Sequence, residues 1–264
     1  EAALEVTIIA EAGVNHNGDI GIASDLIDLA VKAGANVIKF QSFKAESLVT
    51  PAVEMAKYQV QNTGSNETQY QMLKKLEMPI ENMRILKKQC VDKKIEFLST
   101  AFDITSLDEL ISLGLKRIKI PSGEITNKLY LEHVGSLKLP TILSTGMSTM
   151  DEISEAIDIL HQSGLSSDKL TVLHCTSNYP ALPSELNLRA ITTIRERFKV
   201  NVGYSDHSVG STAALGAIAL GAKIIEKHIT LSNKMIGPDH AASMEPNDFI
   251  DFVNSIRKLE MQLG

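Results

Sequence analysis

Short apolar runs rich in β-branched residues alternate with longer amphipathic stretches along the whole chain. Eight of these runs have the length and composition of buried strands. They are Thr7–Ala10, Val37–Phe40, Ile95–Leu98, Arg117–Ile120, Thr141–Leu143, Thr171–His174, Val200–Gly203 and Lys223–Glu226. Because a helical period follows each run, the pattern predicts eight successive βα units.

The amphipathic stretches have apolar residues at helical spacing, and glycines stand where several of them end. The stretches include 22–30, 107–111, 153–160 and 213–220, and the glycines are Gly34, Gly114, Gly164 and Gly221. Eight evenly spaced units in 264 residues predict an α/β fold, the (β/α)8 TIM barrel. A doubly wound open sheet is the alternative, but no glycine-rich dinucleotide fingerprint follows the first strand.

One connection, after the second strand, is much longer than the others. It runs from Ser42 to about Lys94, with helices predicted at 51–61 and 67–91 and a polar break at 62–66. Enlarged βα connections of a barrel lie over its catalytic face, and we expect this one to form a wall or a lid there. Tyr58 and Gln59 either face the site or lie on a surface helix.

Composition limits the classes of function. Apolar residues make up 44% of the chain and charged residues 22%, as in soluble globular proteins. No apolar run is long enough to span a membrane, and the net charge of -6 argues against nucleic acid as the main ligand. The first residues do not resemble a secretory signal, which favours a cytoplasmic protein. For Cys90 and Cys175 we expect buried thiols rather than a disulfide or a nucleophile.

Charged and hydroxyl side chains cluster where the predicted strands end, which is where barrel enzymes carry their chemistry. Lys39 and Lys119 lie inside apolar strands, where an ammonium group is costly unless an anion accompanies it. Ser122, Ser144 and Ser205 follow strands near small residues, whose backbone N–H groups can approach a ligand closely. Each serine alone is typical of a helix N-cap, but together with the lysines they predict a phosphate or carboxylate site.

Two histidines follow consecutive predicted strands. His207 closes the segment Gly-Tyr-Ser-Asp-His after the seventh strand, and His228 closes Glu-Lys-His after the eighth. Neighbouring parallel strands would bring both imidazoles to one rim, which predicts a metal site. Two histidines without a thiolate favour Mn²⁺, Fe²⁺, Co²⁺ or Zn²⁺, with water or substrate completing the shell. Asp239, beyond the eighth strand, is a candidate to bind substrate or to support the metal ligands.

Two carboxylates are further candidates. Glu11 and Glu124 stand in apolar or glycine-rich segments, as expected of groups that hold sugar hydroxyls or move protons. For Glu11, a structural salt bridge with one of the strand lysines is an equal alternative.

The same strand ends carry motifs in which this chain resembles the sialic acid synthase family, which includes N-acetylneuraminate, legionaminate and pseudaminate synthases. The matching segments are 9–19, 37–44, 120–127, 143–147, 203–207, 226–228 and 237–240. They span nearly the whole chain. Together they are specific to this family, although no single one is.

The resemblance implies condensation of phosphoenolpyruvate with N-acetylmannosamine, or with a 2,4-diacetamido-6-deoxy relative, to give a nonulosonic (sialic) acid and phosphate. It also implies a divalent metal that polarises the sugar aldehyde; we predict Mn²⁺, with Mg²⁺ or Co²⁺ as alternatives. The residues that match phosphoenolpyruvate-binding positions are Lys39, Thr100, Lys119, Ser122, Ser144 and Ser205. His207 and His228 match the metal ligands, and Glu11, Gln41, Tyr179 and Asp239 match the sugar-binding positions. Glu124 matches a residue that exchanges a proton with the attacking water.

Two departures from the family pattern bear on these expectations. Family members continue into a small antifreeze-like domain that, in the homodimer, contributes an arginine to the partner's active site. We expect this chain to comprise the barrel alone, as one domain over 1–264. After the sixth strand, Ser177 stands where some members have a sugar-binding amide, and it is included among the substrate-binding candidates. The segments 57–59 and 73–77 look closest to bacterial N-acetylneuraminate and legionaminate synthases and do not separate the two.

Two other classes fit the bare residues. A metal-dependent aldolase or isomerase on a barrel would show the same histidines and phosphate pocket without depending on phosphoenolpyruvate. A non-catalytic sugar-binding barrel would bind sugar without metal dependence or phosphate release.

Overall fold

Eight strands alternate with helices in the computed structural model, which describes residues 6–49, 54–55, 57–64 and 67–264, without the side chains of 57 and 58. The strands are β1 (Thr7–Gly13), β2 (Val37–Ser42), β3 (Glu96–Ala101), β4 (Ile118–Ile120), β5 (Thr141–Ser144), β6 (Leu170–Cys175), β7 (Asn201–Asp206) and β8 (Ile224–His228). They share one sheet in the order β3-β2-β1-β8-β7-β6-β5-β4. Because strands adjacent in the chain are adjacent in the sheet and β1 lies next to β8, this is the strand order of a (β/α)8 barrel. The predicted strands and fold class are confirmed.

The pairings have the direction that this fold requires. β2 pairs with β3 in parallel, and β4 to β8 pair successively in parallel. Between β1 and β8, the N–H of Thr7 donates to the carbonyl of Lys223 and the N–H of Ile229 donates to the carbonyl of Glu11, each at 2.9 Å. Side chains that follow parallel strands therefore leave from the same edge of the sheet.

The α-helices of the described residues are α1 (Ile20–Ala33), α2 (Ala45–Leu48), α3 (Lys57–Thr63), α4 (Gln69–Leu76), α5 (Ile80–Asp92), α6 (Ile104–Ser112), α7 (Lys128–Leu137), α8 (Met150–Gln162), α9 (Ala190–Phe198), α10 (Thr212–Ala219) and α11 (Pro246–Leu263). The prediction of one helix over 67–91 is wrong. It is two helices, because Pro79 has no N–H for a helical hydrogen bond and disfavours helical geometry in the residue before it.

Local sequence signals fix where the helices begin and end. The Asp19 carboxylate accepts from the N–H of Ile22 at the start of α1, and Thr149 forms a capping box with Glu152 at the start of α8. The four predicted glycine stops all have positive φ: Gly34 (82°), Gly114 (81°), Gly164 (113°) and Gly221 (101°). Glycine adopts this left-handed conformation without strain, so each chain reversal into the next strand is inexpensive.

Contacts divide the chain into two compact units. The first unit comprises Glu1–Ile9, Leu115–Lys227 and Phe252–Gly264, and the second comprises Ala10–Gly114 and His228–Asp251. The first unit thus holds β4 to β7 and most of β8, whereas the second holds β2, β3 and the end of β1.

The long connection after β2 packs onto the strand ends of the second unit. A buried apolar cluster joins residues that follow β1 and β2 to residues of the connection: Val14, Phe43, Met55, Met72 and Leu76. The connection is therefore a packed wall there, as the sequence predicted. Gln59 of α3 is 9% exposed, so its side chain is buried, while the Tyr58 side chain lies outside the described residues.

Both cysteines are buried thiols, as predicted. Over the ranges that the structure describes, no helix combines the length and the apolar character needed to cross a membrane.

Gly203, in β7, is closely packed against the two neighbouring strands. A Cβ at this position would lie 2.5 Å from Leu173 Cδ2 and 2.6 Å from the carbonyl oxygen of Ile224. We therefore expect Gly203→Ala to lower the free energy of unfolding by about 1–3 kcal/mol through overpacking, as measured by urea denaturation.

The matched control is Gly123→Ala, because a Cβ at Gly123 would have no neighbour within 4 Å. Equal stability of the two variants would contradict the packing argument.

Candidate active site

In the second unit, an ion pair links the ends of β1 and β2. Lys39 Nζ lies 2.8 Å from Glu11 Oε2, and both side chains are almost fully buried. The same ammonium donates to Thr100 Oγ1 at 2.8 Å, and Gln41 Nε2 donates to Glu11 Oε1 at 3.3 Å. Four predicted site residues thus form one hydrogen-bonded group. The structural salt bridge considered for Glu11 is present, and Lys39 has an internal counter-charge.

Gly13 makes room for this group beside His228. A Cβ on Gly13 would lie 3.3 Å from Glu11 Oε1, 3.4 Å from Gln41 Nε2 and 3.7 Å from His228 Cε1. Its φ of 55° lies in the left-handed region that favours glycine. His228 is the last residue of β8 and adjoins the predicted sugar-binding residues of the second unit.

The loop after β8 carries Asp239 and is held by hydrogen bonds. Asn62 Nδ2 donates to the carbonyl of Pro238 at 2.8 Å, and His240 Nε2 pairs with Asn17 Oδ1 at 2.9 Å. Burial raises the pKa of Asp239 to about 6 and lowers that of His240 to about 4. At neutral pH the loop therefore holds a neutral imidazole next to a carboxyl group that is only weakly acidic.

In the first unit, Glu226 joins two predicted anion-binding residues. Its Oε1 accepts from Lys119 Nζ at 3.3 Å and from Ser205 Oγ at 3.0 Å, and all three side chains are buried. Lys119 also has an internal counter-charge, so its burial does not by itself require a bound anion, contrary to the expectation from sequence. The sequence analysis did not identify a role for Glu226. The signal that pointed to the lysines, a charged residue inside an apolar strand, applies equally to it.

Ser122 and Ser177 approach the backbone at Gly146. The Gly146 N–H donates to Ser122 Oγ at 2.9 Å, and a Cβ on Gly146 would lie 2.6 Å from Ser177 Oγ. Ser122 Oγ also lies 3.5 Å from the thiol of Cys175. Ser144, the last residue of β5, is buried at the preceding strand end. The ends of β4, β5 and β6 thus form a narrow polar surface of hydroxyl groups and glycine backbone.

His207 is oriented through one ring nitrogen. Its Nδ1 lies 2.6 Å from the Thr176 carbonyl, which can only accept, so Nδ1 carries the proton and the lone pair is on Nε2. The ring of Tyr179 meets it edge-on, with 5.2 Å between centroids. Burial lowers the pKa of His207, and the carbonyl and the carboxylates of Glu226 and Asp206 offset this only in part. The ring is therefore in the neutral form that binds metals, and a backbone carbonyl holds its other nitrogen, as is typical of a metal ligand.

A further buried ion pair lies one residue beyond Ser205 and Glu226 along β7 and β8. Lys227 Nζ donates to Asp206 Oδ2 at 3.0 Å and to the carbonyls of Ser208 and Gly210. Asp206 also accepts from the N–H and hydroxyl of Ser208. This network, which sequence reasoning did not identify, fixes the loop that carries His207.

Glu124 is half-buried beyond the end of β4. It ends a single 3₁₀ turn at Ser122–Glu124, and its Oε2 accepts from Asn127 Nδ2 at 2.6 Å. A carboxylate with solvent access can exchange a proton with water, as its predicted role requires.

The structure groups the predicted residues within each unit. The second holds Glu11, Lys39, Gln41, Thr100, His228 and Asp239, and the first holds Lys119, Ser122, Glu124, Ser144, Ser177, Tyr179, Ser205 and His207. A metal ion shared by His207 and His228 stays a prediction. In the described part of the chain, no three His, Cys, Asp or Glu side chains are grouped as a metal site. The predicted site has two protein ligands, fewer than such a group.

Comparison with known proteins places these residues in a family. The model of the NeuB family matches residues 26–264. The chain is 50% identical to the N,N'-diacetyllegionaminic acid synthase of Legionella pneumophila and 47% identical to that of Campylobacter jejuni, over 97% of this chain in both cases. It spans 73% and 77% of their respective lengths.

A solved structure agrees with this result. The N-acetylneuraminic acid (sialic acid) synthetase of Leptospira borgpetersenii superposes with a TM-score of 0.86 and 35% identity, covering 98% of this chain and 85% of that protein. The fold and the resemblance predicted from the sequence are confirmed, as is the prediction that the chain is an enzyme. The chain belongs to the NeuB family.

Proposed function

We propose that this chain condenses phosphoenolpyruvate with an N-acetylated amino sugar to form a nonulosonic acid and release phosphate. The observation that carries the proposal is the group formed by Lys119, Ser205 and His207 at the strand ends of the first unit. It combines a cation and a hydroxyl group with an imidazole in the neutral form that binds metals. Family membership and relatives that are themselves synthases of such acids support it.

Phosphoenolpyruvate carries a phosphate and a carboxylate, and both need cations and hydrogen-bond donors. Lys119 and Ser205, with Ser122 and Ser144 nearby along the strand ends, supply them from the first unit; Lys39 and Thr100 supply them from the second. Charge-assisted hydrogen bonds of this kind hold an anion in fixed orientation, which places the enol carbon for reaction.

His207 and His228 would hold the divalent metal, for which we propose Mn²⁺. The neutral His207 ring, with Nδ1 on the Thr176 carbonyl, fits this role. When bound, the metal acts as a Lewis acid toward the sugar aldehyde.

The remaining residues hold the sugar and move protons. Glu11, Gln41 and Asp239 offer acceptors and donors for hydroxyl groups, and Tyr179 and Ser177 add two hydroxyls in the first unit. Glu124 exchanges a proton with the water that adds at C2 of the former phosphoenolpyruvate, and breaking the bond from C2 to the phosphate oxygen then releases phosphate.

Two sugars remain as substrates. N-acetylmannosamine would give N-acetylneuraminate, and its 2,4-diacetamido-6-deoxy relative would give N,N'-diacetyllegionaminate. The second is favoured by the names of two relatives at 50% and 47% identity, and the first by the name of the Leptospira structure at 35%. From the family resemblance we also propose a cytoplasmic homodimer.

The direct test incubates the protein with Mn²⁺, phosphoenolpyruvate and each sugar in turn. We expect phosphate release with one sugar, abolished by a chelator, and the active sugar names the product. Release of phosphate is measured colorimetrically and the nine-carbon acid by mass spectrometry.

An aldolase that does not use phosphoenolpyruvate would release no phosphate. If folded protein that still binds phosphoenolpyruvate released no phosphate with either sugar, the proposed reaction would be contradicted.

Removing either imidazole should remove metal binding. We expect His207→Ala and His228→Ala to lose tight Mn²⁺ binding in an electron paramagnetic resonance titration, with circular dichroism unchanged, because strand-end residues add little to the core. His161→Ala, on α8, is the control and should bind as the wild type does. Wild-type affinity in either strand-end variant would count against the metal site.

Lys119→Ala should weaken phosphoenolpyruvate binding by at least about tenfold in calorimetry, because one charge-assisted contact to the anion is lost. It should also destabilise the fold by about 3–5 kcal/mol, since Glu226 stays buried without the ammonium. The exposed Lys128→Ala is the charge-matched control. Unchanged affinity in folded Lys119→Ala would show that the lysine is only structural.

A further inference from the structure

Glu226 occupies the donors that an anion would need. Its Oε1 accepts both the Lys119 ammonium and the Ser205 hydroxyl, at 3.3 and 3.0 Å. Lys119 is 4% exposed, Ser205 3% and Glu226 4%, so little water screens the three groups from one another.

The strand register assigns Glu226 to the same side as these donors. Ser205 pairs with Glu226, and Asp206 pairs with Lys227. Side chains alternate across a strand, so the Asp206–Lys227 pair faces away from Lys119, toward Phe252 of α11, whose ring lies 5.7 Å from Lys227 Nζ. The Asp206–Lys227 pair thus has a structural role, whereas Glu226 and Ser205 lie among the predicted anion-binding groups.

The number of donor protons on Ser205 and Lys119 shows why Glu226 and an anion compete for them. A serine hydroxyl has one proton, and a carboxylate only accepts, so Ser205 donates to Glu226 in the observed arrangement. The ionised oxygens of a phosphate group also only accept. Ser205 can therefore donate to an anion only after it turns away from Glu226. Lys119 has three N–H donors, and the one that Glu226 holds is not available to the anion while the ion pair persists.

We propose that Glu226 is an affinity-setting residue that competes with the anion for Lys119 and Ser205. Its negative charge also repels a phosphate bound between them. It therefore weakens binding of the phosphate group, whether this belongs to phosphoenolpyruvate or to released phosphate, and it favours departure of the product. This role rests on the proposed function in taking Lys119 and Ser205 as phosphate ligands.

The test is Glu226→Gln, which keeps the side-chain shape and removes the charge. We expect inorganic phosphate, titrated calorimetrically, to bind at least about tenfold more tightly than to wild type, the low end of the effect of one like charge a few ångströms away. In the phosphate-release assay with Mn²⁺, kcat and the KM for phosphoenolpyruvate should both fall, and inhibition by added phosphate should strengthen. Glu155→Gln, an exposed position on α8, gives the same change of net charge as a control.

Unchanged or weaker phosphate binding by folded Glu226→Gln would overturn the proposal and leave Glu226 as a structural counter-ion. If that variant does not fold, Glu226→Asp keeps the charge but shortens the arm. It should then tighten phosphate binding to a smaller degree, and no tightening would overturn the proposal as well. If the wild type binds neither phosphate nor phosphoenolpyruvate, the anion site of the proposed function itself is wrong, which separates the two failures.

Discussion

Buried ammonium groups at strand ends exist in this chain because a carboxylate accompanies each of them. Lys39 pairs with Glu11 at 2.8 Å in one unit, and Lys119 pairs with Glu226 at 3.3 Å in the other. An ammonium group without a counter-charge at this depth would cost several kcal/mol or lose its proton. The carboxylates therefore let the fold carry, before any ligand arrives, the ammonium groups of the proposed anion site.

At the ends of β7 and β8, successive side chains point to opposite sides of the sheet and so separate a structural ion pair from the predicted anion-binding groups. One residue pair faces the predicted anion-binding groups, and the next pair fastens the following loop from the other side. His207 directly follows Asp206 along the chain, and its ring is oriented by a carbonyl after β6. The position of this imidazole is thus set by three consecutive strands, which is a stiffer support than a loop alone could give.

The sequence predicted the eight strands because β-branched runs bounded by glycine and polar residues are a local signal. It placed several strand ends too early, since polar residues such as Glu11, Ser99 and Ser205 continue the strands. It could not show which distant acid would meet each lysine, because 28 and 107 residues separate these partners and only the order of strands in the sheet brings them together. Residue types therefore predicted the charges, whereas the tertiary fold determined which of them pair.

The hydrogen bond from Asn62 to the Pro238 carbonyl ties the enlarged connection after β2 to the loop that carries Asp239, across 176 residues of chain. A sequence change that reshapes either segment strains the other. Divergence of the proposed sugar site would therefore proceed through paired substitutions in both segments, so the two are expected to vary together among relatives. A chimera that exchanges only one of them between relatives would combine segments that have not adapted to each other.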